Sequence, residues 1–186
     1  TANTTGRAAA RAPSAGRPCP VAARRTRSPA TTNKWANAAA AQCVPATMIA
    51  FVQASGYTYL EDHLSDDVQG LFGYADTNGN LVFNRQTNEA VPEEFCGTMV
   101  HETFHAIDFI LAGWGPYGMS DPSYNPSYVY LDDRGDDWLV ECAARASESY
   151  VLGVPPSLSY AGECGTPIPD HHTAAVEEVL ALAGII

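Results

Sequence analysis

The fold of this chain is decided by residues 92–111, which read PEEFCGTMVHETFHAIDFIL. Proline suits the first turn of a helix, and the acidic Glu93 and Glu94 after it suit the positive end of the helix dipole. Further along, apolar residues recur at spacings of four, three and four, as expected for one face of a helix. They are Val100, Phe104, Ile107 and Leu111. The pattern predicts a long helix with one packing face.

An HExxH motif lies on the adjacent face of this predicted helix. It consists of His101, Glu102 and His105. Two imidazoles four residues apart can reach one metal ion, and the glutamate between them can take a proton from an activated water. We therefore predict that both histidines are zinc ligands and that Glu102 is the general base. The alternative is that the histidines only form hydrogen bonds at a helix surface or in a core.

A third ligand is needed, because catalytic zinc normally has three protein ligands and one open position. Asp108 lies one turn after His105 on the same face, but each turn rises by about 5.4 Å, so three side chains of one helix converge poorly on one ion. It is better placed to orient a ligand histidine by hydrogen bonding. Glu141 lies 36 residues after His105, in a helix predicted at about 136–152, and could reach the ion from another direction. On these grounds both carboxylates remain candidates.

Two motifs, HExxHxxD at 101–108 and ExxAxAxxxY at 141–150, resemble those of the gluzincin metallopeptidases. The resemblance is closest to the anthrax lethal factor-like branch and covers about residues 70–152. It implies that the zinc ligands are His101, His105 and Glu141, and that the base is Glu102.

The resemblance also assigns roles to neighbouring residues. It implies that Ala144 is the small residue that allows close helix packing, and Asp108 matches an acid common in the family's helix. Two positions depart from the family pattern. Cys142 follows the ligand glutamate, and Arg145 stands where an acid is common.

The rest of the body predicts a small α+β domain. Asn78-Gly79 between two apolar runs is a strong signal for a hairpin of residues 71–75 with 81–83. Further helices are predicted at about 45–55 and 173–183, and a long surface loop at 113–136. We expect a minimal zincin-like metallopeptidase fold, with the active-site helix under a small antiparallel sheet and a second helix that carries a glutamate ligand. The strand near Leu81 to Asn84 could bind an extended peptide at its edge.

Charge divides the chain into two parts. Residues 1–34 hold seven of the ten basic residues and no acid, so we predict a disordered basic tail or linker there and a metallopeptidase domain at 35–186. Beyond Lys34, three basic residues face 21 acidic ones, a net charge of −18. Such a body repels phosphates and anionic lipid, so we expect no nucleic-acid partner. No apolar run reaches the roughly 18 residues that span a bilayer, so no membrane span is predicted.

Five cysteines bear on the compartment. Cys19 lies in the tail, and the body contains Cys43, Cys96, Cys142 and Cys164. Four body cysteines permit two disulfides, although spacing does not give the pairing, and four free thiols in a reducing compartment are the alternative. The even count in an acidic, lysine-poor body favours disulfides and a secreted, extracellular protein.

These expectations combine into a secreted zinc metalloendopeptidase that acts as a monomer on peptide or protein substrates. In such an enzyme Zn²⁺ activates a water, while Glu102 takes the proton and returns it to the leaving amine. Tyr130, and after it Tyr128, could donate a hydrogen bond to the developing oxyanion. The alternative is a catalytically inactive zincin-like domain that binds a protein partner or uses zinc structurally.

Overall fold

Six helices and a three-stranded sheet form the part of the chain that this computed structural model describes, which is residues 33–62, 72–76, 78–113, 137–155, 164–165 and 167–186. The helices are α1 (Lys34–Cys43), α2 (Ala46–Ala54), α3 (Arg85–Ala90), α4 (Pro92–Leu111), α5 (Asp137–Leu152) and α6 (Asp170–Leu182). The strands are β1 (Thr58–Glu61), β2 (Gly73–Ala75) and β3 (Asn80–Phe83). The fold is α+β, as predicted. Residues 1–32 lie outside the described ranges, so the disordered tail stays a prediction.

The long helices agree with the sequence patterns. The predicted helices near 45–55, 136–152 and 173–183 appear as α2, α5 and α6, and the helix that begins at Pro92 is α4. The sequence did not predict α1, whose buried face consists mainly of alanines. Alanine is the best helix former, but a face of small side chains gives no visible hydrophobic period.

The sheet is mixed, and this corrects the expectation of an antiparallel sheet. β2 and β3 form the predicted hairpin, with Tyr74 opposite Val82, but β1 pairs parallel to β3 with Tyr59 opposite Leu81. The strand order is β1-β3-β2, so β3 is central and both of its edges are paired. The predicted peptide-binding edge at Leu81 to Asn84 is therefore wrong. The turn signal at Asn78-Gly79 predicted β3, whereas β1 was not predicted, because its pairing with β3 is parallel and no tight turn links the two strands.

Asp76 fixes the hairpin turn. Its side chain accepts hydrogen bonds from the backbone N–H groups of Asn78 and Asn80 at 2.8 and 2.9 Å. Gly79 adopts a φ of 89°, which a residue with a side chain rarely adopts. The turn therefore sets the register that brings Gly73 opposite Phe83.

The helix α4 lies at the centre of the described fold. It packs against the five other helices and against β2 and β3. Its residues from Gly97 to Phe104 are all buried, and the side chains of Met99, Val100 and Ile107 are fully so. The face predicted to pack is buried, except that Leu111 is only partly buried near the helix end. Because α4 contacts so much of the core, its orientation is fixed from several sides.

Two disulfides connect these helices to neighbouring segments. Cys43 at the end of α1 bonds to Cys96 near the start of α4, and Cys142 in α5 bonds to Cys164 before α6. The expectation that the four body cysteines form two disulfides is confirmed. This cysteine usage fits an extracellular protein. In the described ranges, no helix is both long and apolar enough to cross a membrane.

We predict that removal of the first disulfide costs more stability than removal of the second. The pairs are 53 and 22 residues apart, and loop-closure entropy gives about 4 and about 3 kcal/mol for loops of these sizes. Urea denaturation of Cys43→Ala/Cys96→Ala and of Cys142→Ala/Cys164→Ala would measure the two losses. A larger loss of stability for the second pair would show that these disulfides do not stabilise the fold mainly by lowering the entropy of the unfolded chain.

Candidate metal centre

The candidate site lies where α5 crosses α4, the most extensive contact between helices in the described fold. His101 and His105 project from successive turns of α4, and Glu141 projects from α5. Ala144, one turn after Glu141, is fully buried. Two helices that are far apart in sequence therefore bring together three side chains that could hold a metal ion, and the assignment of Glu141 as the third ligand stays a prediction.

Glu141 faces both histidines. Its Oε1 lies 3.0 Å from His101 Nε2, and its Oε2 lies 3.3 Å from His105 Nε2. The two Nε2 atoms are 3.1 Å apart. One ligand atom from each of the three residues can be chosen so that all lie within 4.8 Å of one another. Ligand atoms around a tetrahedral zinc are about 3.3 Å apart, so the histidines and this carboxylate are spaced to hold one ion.

The two carboxylates that contact His101 require a positive charge at its ring, from a second proton or from a metal ion. His101 Nδ1 lies 3.0 Å from Glu148 Oε1, while its Nε2 faces Glu141. Ionised carboxylates only accept hydrogen bonds, so without a metal both ring nitrogens must carry protons. A metal ion at Nε2 would replace one of these protons and leave the other on Nδ1. The residues therefore fit a divalent metal, although they do not identify which one.

Glu148 is a functional candidate that sequence reasoning missed. Its side chain is almost completely buried, and its Oε1 also accepts a hydrogen bond from Arg145 Nη1 at 3.3 Å. A carboxylate on the second nitrogen of a ligand histidine fixes the tautomer and the orientation of the ring. The sequence does carry a signal, because Glu148 follows Glu141 by seven residues, which is two helical turns on the same face.

Arg145, the departure from the gluzincin pattern, lies between the two glutamates. Its Nε is 3.7 Å from Glu141 Oε1, and its Nη1 contacts Glu148. A basic residue therefore stands where the family commonly has an acid, and an acid three residues later contacts the first histidine. The arginine partly neutralises the negative charge of the two glutamates.

Glu102, the predicted base, is buried between α4 and the sheet. A β-carbon on Gly73 of β2 would lie 3.3 Å from Glu102 Cγ, so the strand passes close to this side chain. The next residue of α4, Thr103, is tied to β1 by a hydrogen bond of 2.9 Å between its hydroxyl and that of Tyr59. Glu102 is thus held close to both the metal-ligand group and β2.

Opposite charges shift the pKa values at the site. Burial alone would lower the pKa of His101, but its hydrogen bonds to Glu141 and Glu148 and the charge of Glu102 raise it to about 9. Burial would raise the pKa of Glu141, but hydrogen bonds from His101 and His105 hold it well below its ordinary range. The metal-free site is therefore an imidazolium–carboxylate pair at neutral pH, and a metal must displace a proton from it.

The remaining predicted site residues do not belong to the group of three possible metal ligands found among the described residues. Asp108 is buried on α4. Its predicted role in orienting a histidine stays a prediction. His105 Nδ1 is buried and has no hydrogen-bond partner within the described ranges. Tyr130 and Tyr128 lie outside those ranges, as does almost all of the predicted loop at 113–136.

We predict that the metal-free protein loses stability as the pH rises from about 7 to about 10. The folded pKa of His101 is raised from its ordinary value of 6.5 to about 9. The protonated ring therefore stabilises the fold fully below the unfolded pKa, and this contribution is lost as the pH rises through the folded pKa. Urea denaturation in the presence of a chelator, repeated at several pH values, would measure the loss.

The control for this prediction is an exposed histidine. His101→Asn should flatten the pH dependence over this range, whereas His171→Gln on the surface of α6 should leave it as in the wild type. If both variants kept the wild-type dependence, the charge of His101 would not be its source.

Comparisons with known proteins do not place the chain in a family. No protein-family model, no curated protein and no solved structure matches it. The residues of the site and their geometry are therefore the basis for a functional proposal.

Proposed function

We propose that this protein is a zinc-dependent metallopeptidase that resembles the gluzincins. One observation carries the proposal: the two histidines of an HExxH motif and Glu141 from a second helix present their ligand atoms to one point. The glutamate of the same motif, Glu102, lies close enough to His101 for its charge to raise the pKa of that ring. This combination is typical of peptidases that use one zinc and one carboxylate base.

The chemistry divides between the metal and the chain. When bound, zinc would supply Lewis acidity at the point where the three ligands meet. Glu102 would accept the proton of the attacking water on its carboxylate and return it to the leaving amine. Its burial against β2 limits its motion, which favours proton transfer in a defined direction. Glu148 would keep His101 oriented throughout, through its hydrogen bond from Nδ1.

The number of ligands favours an enzyme over a structural zinc module. In the part of the chain that the structure describes, the group contains three ligand residues, whereas structural zinc sites are closed by four. A position would therefore remain for water and substrate. A catalytically inactive domain that binds a protein partner is the second candidate, and the experiment below separates the two.

The sheet supports a peptide as the substrate. β2 is an edge of the described sheet, and it passes beside Glu102 at Gly73. The carbonyl of Phe72 accepts from the N–H of Asn84, and the N–H of Asp76 donates to the carbonyl of Asn80, both at 2.9 Å. The backbone groups of Phe72 and Asp76 therefore point toward β3. Alternate residues of an antiparallel strand direct their backbone groups to opposite sides, so those of Gly73 and Ala75 point to the outer edge. An extended peptide could pair there and place a scissile bond near Glu102.

The proposed setting is extracellular. Two disulfides support it, since such bonds persist in oxidising compartments. We propose a monomer that acts on peptides or unfolded proteins.

We predict that Glu102→Gln abolishes cleavage of an unstructured protein without loss of zinc. The amide cannot accept the proton of the attacking water, so kcat should fall by about 10²-fold or more. Glu141→Ala should instead lose the metal itself, because it removes a ligand. Zinc per chain would be measured by elemental analysis, and cleavage by the appearance of new N-termini.

The matched control is Glu178→Gln, which removes the same charge on the exposed surface of α6 and should change neither zinc content nor cleavage. Zinc bound by the wild type without any cleavage would favour the inactive domain. Zinc retained by Glu141→Ala would make Asp108 the leading third ligand. A wild type that binds no metal would refute the proposal.

We also predict that Ala75→Pro raises KM for peptides and leaves zinc affinity unchanged. Proline removes the backbone N–H that points outward from the edge of β2, and edge strands tolerate proline. Ala75→Ser retains the N–H and serves as the control in steady-state assays. An unchanged KM in Ala75→Pro would exclude pairing at this edge.

A further inference from the structure

Gly97 lies one helical turn before His101 on α4, directly against the side chain of Glu148. A β-carbon at position 97 would be 2.8 Å from Glu148 Oε2 and 3.5 Å from Cδ. The first distance is shorter than a carbon and an oxygen tolerate without displacement. Any residue other than glycine would therefore push the carboxylate out of its present place.

The carboxylate of Glu148 is held on its other side as well. Its Oε1 accepts hydrogen bonds from His101 Nδ1 at 3.0 Å and from Arg145 Nη1 at 3.3 Å. Both Gly97 and Glu148 are buried, so little water could replace a lost contact. The carboxylate is thus confined by the bare backbone of α4 at one oxygen and by two donors at the other, and a β-carbon at position 97 would disturb its hydrogen bond with His101.

We propose that Gly97 is a positioning residue of the metal centre: its missing side chain admits the Glu148 carboxylate, which orients His101 and so sets the affinity for zinc. The inference rests on the metal site of the proposed function and not on peptide cleavage. It extends the metal centre to Gly97, which lies outside the HExxH motif and has no side chain that could bind a metal or transfer a proton.

If Gly97 had only a structural role in α4, its replacement by alanine would not weaken metal binding. Glycine is a poor residue for the interior of a helix, and alanine is the best. The three atoms nearest to the β-carbon of an alanine at position 97 would all belong to the flexible side chain of Glu148, so Gly97→Ala should fold. The substitution therefore tests the orientation of His101 separately from the integrity of α4.

The experiment is a double-mutant cycle on zinc affinity, measured by competition with a chromophoric chelator. Gly97→Ala should weaken zinc binding by about 10-fold, the range found when the hydrogen-bond partner of a metal ligand is disturbed. Glu148→Ala should weaken it at least as much. In Gly97→Ala/Glu148→Ala the added methyl group has no carboxylate to displace, so affinity should equal that of Glu148→Ala alone.

A spectroscopic readout and a control complete the test. With Co²⁺ in place of zinc, Gly97→Ala and Glu148→Ala should change the visible absorption bands in the same way. Circular dichroism of Gly97→Ala should show wild-type helix content. Ser149→Ala is the matched control, since its buried hydroxyl on α5 has no hydrogen-bond partner in the described structure. It should bind zinc as the wild type does.

The outcomes separate this inference from the proposed function. Wild-type affinity in Gly97→Ala, or losses that add in the double variant, would overturn the positioning role and leave the metal site intact. A wild type that binds no zinc would overturn the proposed function and this inference with it.

Discussion

The buried ring of His101, bonded to a carboxylate on each nitrogen, is the constraint around which the described structure is arranged. Two acceptors on one imidazole require a positive charge between them, supplied either by a second proton or by a metal ion. Both carboxylates come from α5, so α5 must cross α4 within hydrogen-bonding distance. Gly97 on α4 leaves room for one of these carboxylates, since a β-carbon there would lie 2.8 Å from Glu148 Oε2. A larger side chain at this position would displace that carboxylate.

The rest of the fold fixes α4 from the side opposite to α5. The hydroxyl of Tyr59 on β1 bonds to Thr103, which in turn donates to the carbonyl of Met99. This chain of hydrogen bonds runs through the HExxH segment without involving its ionisable groups. The sheet therefore fixes the position of the helix, while α5 supplies the charges. Because the sheet positions α4, and α5 supplies partners for its charged groups, several buried polar side chains of α4 have hydrogen-bond partners within a small core.

Sequence reasoning reached the parts of the site that depend on local spacing. The roles of His101, Glu102 and His105 follow from one helical period. For the third ligand there were two candidates, Glu141 and Asp108, and only helix geometry and a family resemblance favoured Glu141. Gly97 was missed because its importance comes from one contact between two helices, which a pattern within either helix does not show. Glu148 shares a helix face with Glu141, but no pattern shows that this face contacts His101. In the sheet, the Asn78-Gly79 turn predicted the hairpin, but the parallel pairing of β1 depends on a crossover that carries no local signal. Arg145 departs visibly from the family pattern, while its contacts with both glutamates could not be foreseen.

The pattern of covalent links has a consequence for the way the two ligand helices hold together. Each disulfide ties one of them to a neighbour: the first joins α4 to α1, and the second joins α5 to the segment before α6. Within the described ranges neither bond joins α4 to α5. A metal ion bound by His101, His105 and Glu141 would thus be a third cross-link, and it would join the two ligand helices, which neither disulfide connects directly. Unlike the other two, this link is reversible by chelation and by acid, so mechanical cohesion at the site would follow the supply of metal and not the redox state of the surroundings.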